Sequence, residues 1–184
     1  VRGFPEGFDV NVGNLPYCVA PDLAPWIHHN GERTDTIAVD GDARLSRPWN
    51  KYLVKRRDKL KPESCRRCVF DARCSGVFET YARFYGLSEL EPVDADTLRR
   101  LDPRGRLVGI WAPRLLAEVG LRARPRGEGA ALLDVGGTVL ELGGAERPDA
   151  VARYGAVSVR LVEGPPPDST AVKPALERLG PPIH

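Results

Sequence analysis

The four cysteines of this 184-residue chain all lie within its first 74 positions, and three of them are closely spaced. Cys65, Cys68 and Cys74 follow a C-x2-C-x5-C pattern, and Cys18 precedes the first of them by 47 positions. Four thiolates complete the coordination of one tetrahedral zinc ion or one iron–sulfur cluster. No other group of residues has the pattern of a reaction centre. We therefore predict that Cys18, Cys65, Cys68 and Cys74 form one metal-binding site.

The spacing alone leaves the identity of the metal open. A two-residue spacer lets Cys65 and Cys68 bind one metal centre from a tight turn. Zinc ribbons pair their ligands as two such turns, whereas this chain has one turn and an isolated fourth cysteine. This asymmetry favours a 4Fe-4S cluster, with zinc as the alternative. Two disulfides are disfavoured, because a chain of this length can build a core without them.

Composition and charge narrow the class of protein. The formal net charge is +2 and hydrophobic residues make up 42% of the chain, which is typical of a soluble globular protein. No apolar run reaches the roughly 18 residues of a membrane span, and the N-terminal residues lack a signal-peptide pattern. We therefore expect no membrane association and a cytoplasmic location, where cysteine clusters are usually metal sites.

A shift in composition predicts two domains. Residues 1–94 hold every cysteine and two of the three tryptophans, whereas residues 100–184 are rich in glycine, proline and short aliphatic runs. The join is predicted at 92–103, between two prolines. The predicted fold class is α+β, with a loop-rich N-terminal unit organised by the metal and a small antiparallel sheet with helices after it. The role of the second unit is not predicted.

Periodicity and turn residues give the predicted elements. In the first unit, 10–12 and 36–39 are strand candidates, and 77–85 forms a helix that ends at Gly86 and packs in the core. In the second unit, 107–111 is a predicted strand and 113–119 a helix. The segments 131–135 and 138–142 form a hairpin around Gly136 and Gly137. A helix at 147–154, a strand at 156–162 and a helix at 171–179 complete the prediction.

The residues around the cysteines carry a family resemblance over about positions 10–93. They resemble the C-terminal auxiliary-cluster region of radical SAM proteins, in the one-cluster "twitch" type more than the seven-cysteine SPASM type. Element order, spacing and flanking residues all agree. The matching segments are Asn14 to Cys18, Lys61, Cys65 to Cys68, Asp71 to Val77, Tyr81, Tyr85-Gly86, Glu89-Leu90 and Pro92-Val93.

The resemblance implies a 4Fe-4S cluster bound by Cys18, Cys65, Cys68 and Cys74, serving electron transfer or substrate anchoring. The chain departs from the family in lacking the C-x3-C-x2-C loop that binds the SAM-cleaving cluster, and it has no room for the family's barrel. It therefore resembles the C-terminal piece of such an enzyme, or a stand-alone relative. The implied partners are a radical SAM domain, in the same longer protein or a separate subunit, and a peptide or small-molecule substrate.

Other candidate residues favour simpler interpretations. The stretch from Lys51 to Arg67 is strongly basic, which favours a solvated face over a nucleic-acid surface given the net charge of +2. A zinc-stabilised module that binds protein or nucleic acid remains the alternative function. His28 and His29 are interpreted as loop residues rather than ligands. No catalytic residue is predicted, because serine, histidine and aspartate are scattered.

Overall fold

The structure is a computed structural model, and it describes residues 12–13, 15–28, 35–50, 53, 57–167 and 169–183. The chain divides into two compact units, Val1–Pro92 and Val93–His184. Both contain helices and strands, and the largest sheet is antiparallel, so the predicted α+β class is confirmed. None of the described helices has both the length and the apolar character that are needed to span a membrane.

The described part of the first unit is built from turns and pairs of two-residue strands. These strands are β1 (Val12–Gly13), β2 (Ile27–His28), β3 (Asp35–Thr36), β4 (Trp49–Asn50), β5 (Lys59–Leu60) and β6 (Val77–Phe78). They pair as β1–β2, β3–β4 and β5–β6. Single 3₁₀ segments span Pro21–Trp26 and Glu63–Arg67. The predicted strand residue Val10 lies outside the described residues.

A turn follows the second strand candidate. Asp40 Oδ1 accepts hydrogen bonds from the backbone amides of Asp42 and Arg44, which is how an aspartate side chain holds a turn. The strand candidate itself is shorter than predicted, because β3 ends at Thr36 and Val39 forms only an isolated bridge with Leu45.

Helix α1 spans Glu79–Tyr85 and ends at Gly86, whose φ of 77° is the left-handed conformation expected of a glycine cap. It begins two residues later than predicted, because Val77 and Phe78 pair with β5 instead. The prediction that its aromatic face packs in the core is wrong. The exposed fractions of Phe84 and Tyr85 are 71% and 72%.

The second unit is organised by a six-stranded antiparallel sheet. Its strands are β7 (Arg122–Pro125), β8 (Ala130–Val135), β9 (Thr138–Gly144), β10 (Ala152–Tyr154), β11 (Val157–Glu163) and β12 (Pro182–Ile183). The spatial order is β12-β10-β11-β9-β8-β7. One face is apolar and buried, and its main side chains are Ala131, Leu133, Leu140, Leu142, Val157 and Val159.

The predicted hairpin forms β8 and β9. Val135 pairs with Thr138 across the two-residue turn, and Gly136 and Gly137 have φ angles of 56° and 85°. Positive φ at both central positions is what a type I′ turn requires, and glycine adopts it without steric cost. The predicted third strand is also present, as β11.

Helix α3 spans Val108–Glu118, so the predicted strand at 107–111 is wrong. The predicted helix at 113–119 is the second half of the same element. Its apolar residues recur at helical spacing, and Val108, Trp111, Ala112, Leu115 and Leu116 are all buried. This helix packs against β7, β8 and β9, which covers the apolar face of the sheet. The aliphatic residues at the start of this helix are compatible with a strand only if their contacts with the sheet are left out.

A buried carboxylate fixes the start of α3. Asp102 is 2% exposed and accepts hydrogen bonds from the amides of Arg106 and Leu107 and from Trp111 Nε1, at 2.8, 2.7 and 3.0 Å. These contacts satisfy amides that precede the helix and a donor on its buried face. Asp102 therefore sets the direction in which the chain enters the helix.

Two further segments differ from the prediction. Within the predicted join, Ala95–Leu101 forms helix α2, capped by Asp94, whose carboxylate accepts from Thr97 N at 2.6 Å. Residues 147–154 are not a helix, because they form a turn followed by β10. Helix α4 (Ser169–Glu177) matches the predicted terminal helix. Arg178 then binds Asp96 through both carboxylate oxygens, at 3.0 and 2.7 Å, and Glu118 at 2.9 Å.

Candidate metal centre

A series of tight turns positions Cys65, Cys68 and Cys74. The amide of Cys68 donates to the carbonyl of Cys65 at 2.9 Å, and Asp71 N donates to Cys68 O at 3.1 Å. Cys74 N donates to Phe70 O at 2.7 Å. Each cysteine thus lies at the start or end of a one-turn segment. The two-residue and five-residue spacers fold the chain back on itself, which keeps the three thiols in one loop, hereafter the cysteine loop (Cys65–Gly76).

An aromatic stack joins the Cys18 segment to this loop. The rings of Tyr17 and Phe70 lie 4.0 Å apart, centroid to centroid, at an interplanar angle of 8°. Both are buried, and Tyr17 Oη donates to Ile27 O at 3.2 Å, which satisfies the phenol. Tyr17 immediately precedes Cys18, and Phe70 lies inside the spacer between Cys68 and Cys74. The stack therefore packs the segment that carries Cys18 against the cysteine loop.

The thiols lie close enough to affect one another's ionisation. Burial, and then the neighbouring thiols of Cys74 and Cys68, raise the pKa of Cys18 to about 11; Cys65 contributes in the same direction. Burial and the thiols of Cys68 and Cys74 also raise the pKa of Cys65, against the opposing charge of Lys61. Gathering four thiolates without a compensating cation is electrostatically unfavourable.

One sulfur accepts a backbone hydrogen bond. Gly76 N lies 3.3 Å from Cys74 Sγ, and this N–H donates to the sulfur. The geometry depends on glycine, because Gly76 has a φ of 79° and a Cβ there would lie 2.0 Å from Leu60 O. The β5–β6 pairing and the conformation of Cys74 are thus linked through one residue. Amide donation to sulfur is a contact that tunes thiolate-bound metal centres.

Two lysine side chains form polar contacts with residues of the cysteine loop. Lys61 Nζ donates to the Asp71 carbonyl at 2.8 Å and forms an ion pair with Asp71 Oδ1 at 2.6 Å. Lys59 Nζ donates to Ser75 Oγ at 3.0 Å and lies 4.8 Å from the centre of the Phe78 ring. These contacts connect the segment before the cysteine loop to two positions within the loop, Asp71 and Ser75. Lys61 also supplies positive charge near Cys65.

The thiols are neighbours, but they do not form a closed ligand set. All four cysteines are free. Across the described ranges, no three or more His, Cys, Asp or Glu side chains form a group that could hold a metal ion. The chemistry of the donors nevertheless fits a thiophilic metal: four sulfurs with one amide already aimed at one of them. Loading would require the loop to close and the thiols to lose their protons.

Several residues considered in the sequence analysis lie outside the cysteine loop or outside the described residues. His29 and the basic residues Lys51, Lys55 and Arg56 lie outside the described residues, as does Asn14 of the resemblance. Nothing is described of the His28 side chain. Of the remaining basic stretch, Arg66 pairs with Glu63 at 2.9 Å, and both side chains are largely exposed. This pair is a surface contact that contributes little to stability.

Sequence reasoning missed the two contacts that assemble the loop. The stacking of Tyr17 on Phe70 carries no signal in the sequence, because the two residues are far apart in the chain. The Lys61–Asp71 pair had a weak signal, since both residues belong to the segments of the family resemblance. Comparisons of the chain with protein-family models, with curated proteins and with solved structures found no match.

Proposed function

We propose that the first unit binds an auxiliary 4Fe-4S cluster through Cys18, Cys65, Cys68 and Cys74, as part of a radical SAM-like protein. The observation that carries the proposal is the convergence of Cys18 on the cysteine loop. A buried aromatic stack packs a segment that is distant in the sequence against the cysteine loop, and the thiols of Cys74, Cys68 and Cys65 lie near enough to raise the pKa of Cys18. A purely structural core would not require a cysteine at each of these four positions.

The residues around the thiols have distinct roles in this proposal. Tyr17 and Phe70 keep water from one side of the site, because both rings are buried. The Gly76 amide stabilises negative charge on the Cys74 sulfur. Lys61 offsets charge near Cys65 and orients the loop through Asp71. A bound 4Fe-4S cluster supplies one-electron redox chemistry or a site at which a substrate is anchored.

The proposed partners are a radical SAM domain, in the same longer protein or in a separate subunit, and its peptide or small-molecule substrate. The aromatic side chains of α1 support a partner surface in this region. Tyr81, Phe84 and Tyr85 follow the cysteine loop directly and are exposed. Together with Phe78 they line a shallow pocket that also includes the carboxylates of Asp58 and Glu79. Exposed aromatic groups of this kind are typical of interaction surfaces.

Anaerobic reconstitution with iron and sulfide tests the proposal. We expect a brown protein with broad absorbance near about 400 nm and four irons per chain, one for each cysteine ligand. Zinc in place of iron would give a colourless protein whose X-ray absorption fits four sulfurs at about 2.3 Å. Stoichiometric zinc that iron and sulfide cannot replace would establish the alternative, a zinc-stabilised module.

A matched pair of substitutions controls for non-specific iron. Cys68→Ala removes a buried ligand, whereas Arg67→Ala changes the adjacent exposed residue within the same turn. The proposal requires the cysteine variant to lose at least half of its bound iron and the arginine variant to keep all of it. Equal iron content in the two variants contradicts the proposal, as does full loading of Cys18→Ala.

The proposal also predicts what these residues do not do. Reductive cleavage of SAM needs a cluster iron with an open coordination position, and all four cysteines are assigned to one site. Reconstituted protein supplied with SAM and dithionite should therefore produce 5′-deoxyadenosine only at background level. Turnover that is lost in Cys65→Ala would instead make this an active-site cluster and contradict the auxiliary role.

A further inference from the structure

A buried glutamate gathers three arginines on one face of the sheet in the second unit. Glu141 is 4% exposed, and its Oε1 accepts from Arg147 Nη1 at 2.9 Å. Its Oε2 accepts from Arg160 and lies 3.5 Å from Arg126 Nη1. Each of the three arginine side chains is still at least one-third exposed. One carboxylate therefore holds three guanidinium groups in place at the surface.

The strand register extends this cluster across the sheet. Arg124 pairs with Leu132, Leu132 with Glu141, and Glu141 with Arg160. Directly paired residues in an antiparallel sheet share a face. This row lies on the face opposite the buried apolar one. Arg153 joins the same face, because it pairs with Ser158, two residues before Arg160.

The carboxylates of this face do not balance its arginines. By register and ion-pair contacts, the described residues of this face include six arginines and four acidic residues. Its arginines are Arg122, Arg124, Arg126, Arg147, Arg153 and Arg160, and its acidic residues are Asp134, Glu141, Asp149 and Glu163. Asp134 pairs directly with Arg122, but the positions opposite Arg124 and Arg153 hold a leucine and a serine. Arg124 and Arg153 are both exposed. The surface, hereafter the arginine face, is thus left with surplus positive charge.

The chemistry of the arginine face favours carboxylates as the ligand. Arginine presents a planar fork that binds a carboxylate through two parallel hydrogen bonds, whereas lysine acts as a point charge. Glu141 already demonstrates this pairing within the fold. The register positions of the face carry no aromatic ring on which a nucleic-acid base could stack. From β7 to β10 the face spans four strand spacings, or about 19 Å, which is the length of about six extended residues.

We propose that the arginine face binds an extended acidic segment of a protein partner, with Arg124, Arg126 and Arg153 as the principal contacts. The buried Glu141 holds Arg126, Arg147 and Arg160 in position, so the face is organised before the partner arrives. This pre-organisation lowers the entropic cost of binding. The site lies in the second unit and does not depend on the proposed cluster.

Fluorescence anisotropy on the full chain tests the inference. The probe is a fluorescein-labelled eight-residue peptide of alternating glutamate and serine, and a lysine–serine peptide of equal length is the charge-reversed control. We expect saturable binding of the acidic peptide that weakens with salt, and no binding of the basic one. An oligothymidylate of equal charge separates the two kinds of polyanion. Tighter binding of the oligonucleotide, or no binding of the acidic peptide, overturns the proposal.

Charge-matched variants locate the surface. The combined variant Arg124→Gln, Arg126→Gln and Arg153→Gln should weaken peptide binding by at least about tenfold. Arg114→Gln makes the same change at an exposed position of α3, the helix that packs on the opposite face. It should alter affinity by less than about twofold. Circular dichroism checks the fold, and Arg124→Gln alone replaces the combined variant if that fails to fold. Equal affinities for the Arg124 and Arg114 variants overturn the proposal.

Discussion

The two units of this protein reach an ordered structure by different means. In the second unit, a six-stranded sheet and its covering helix bury an apolar face, and that burial is sufficient to drive folding. The described strands of the first unit are all two residues long and pair in separate two-stranded sheets. Isolated pairs of this size are marginal in water. These strand pairs therefore need another source of stability.

The apolar side chains show the same contrast. Among the described residues, the first unit buries a small set of apolar side chains, which includes Phe70 and Val77 in or next to the cysteine loop and Tyr17, which stacks on Phe70. Other apolar residues of that unit, such as Val39 and Leu45, are 63% and 70% exposed. The cysteine loop is thus one of the buried parts of the described first unit. A metal bound there would fold the loop and contribute its binding free energy to the stability of the unit.

The largest expected effect is the loss of the metal. In the reconstituted protein, Cys68→Ala should unfold much of the first unit, because a ligand at a buried position is removed and the remaining thiols cannot close the site. Hydrogen exchange read by mass spectrometry should show lost protection at residues 57–92 and unchanged protection in the sheet. Arg67→Ala is the control. Equal loss of protection in both units would show one cooperative domain and remove the contrast.

The second prediction concerns a substitution that destabilises the second unit. Asp102→Ala removes the acceptor of three donors, two of them buried, which should lower the free energy of unfolding of the second unit by about 3 kcal/mol. For a domain of this size, that is a fall in Tm of roughly 10–20 °C. Iron loading of the first unit should not change.

Asp134→Ala is the control for this substitution, because Asp134 is an exposed aspartate on β8. We expect it to cost less than about 0.5 kcal/mol. A loss of bound iron in Asp102→Ala would contradict the independence of the two units.

The parts of the fold that were predictable from the sequence are those fixed by local chemistry. Gly136-Gly137 required positive φ at two successive positions, and the hairpin followed. Gly86 ended α1 for the same reason. The strand predicted at 107–111 failed because its residues suit either a strand or a buried helix, and the decision came from contacts with the sheet. Local preference is overridden where tertiary burial is large.

The candidate site divides in the same way. The spacing of Cys65, Cys68 and Cys74 predicts that they share one loop, because tight turns bring together cysteines with such short spacers. The placement of Cys18 could not be derived from spacing, because it rests on the stacking of Tyr17 against Phe70. The arginine face was visible only as alternating arginines at 122, 124 and 126. Its significance depends on Glu141 and Arg160, which the sheet brings in from other strands.

The third prediction compares alanine substitutions at two glycines of the first unit, for which smaller effects are expected. Gly76→Ala should cost about 2–3 kcal/mol, because φ is positive and the new Cβ would lie 2.0 Å from Leu60 O. The change should also disturb the amide bond to Cys74 Sγ and weaken metal retention against a chelator. Gly86→Ala has nearly the same φ, but no atom lies within 4 Å of the new Cβ. It should cost about 1 kcal/mol and leave metal retention unchanged. Equal metal loss in both variants would exclude a role for the Gly76 amide.

The smallest expected effect is the response of the second unit to acid. Burial alone raises the pKa of Glu141, but the hydrogen bonds from Arg160 and Arg147 outweigh it, so the net pKa lies below the ordinary value of 4.5. A carboxyl group whose pKa is lower in the folded state stabilises the fold above its unfolded pKa. That stabilisation is lost as the pH falls through the folded value. The Tm of the second unit should therefore fall by a few degrees, roughly, as the pH drops below 4.5.

Glu141→Gln tests this origin of the acid response. The variant should be less stable at pH 7 and should show a shallower fall in Tm with acid than the parent protein, because the titrating group is gone. The residual slope is expected from Asp94 and Asp96, since Thr97 and Arg178 respectively lower the pKa of these two carboxyl groups. In the reconstituted protein, we expect acid to act on the first unit by a different route, because protons compete with a bound metal for the thiolates. Metal-free protein should therefore lose the acid response of the first unit and keep that of the second. An unchanged slope in Glu141→Gln would mean that the ion pairs around Glu141 contribute nothing to the stability of the sheet.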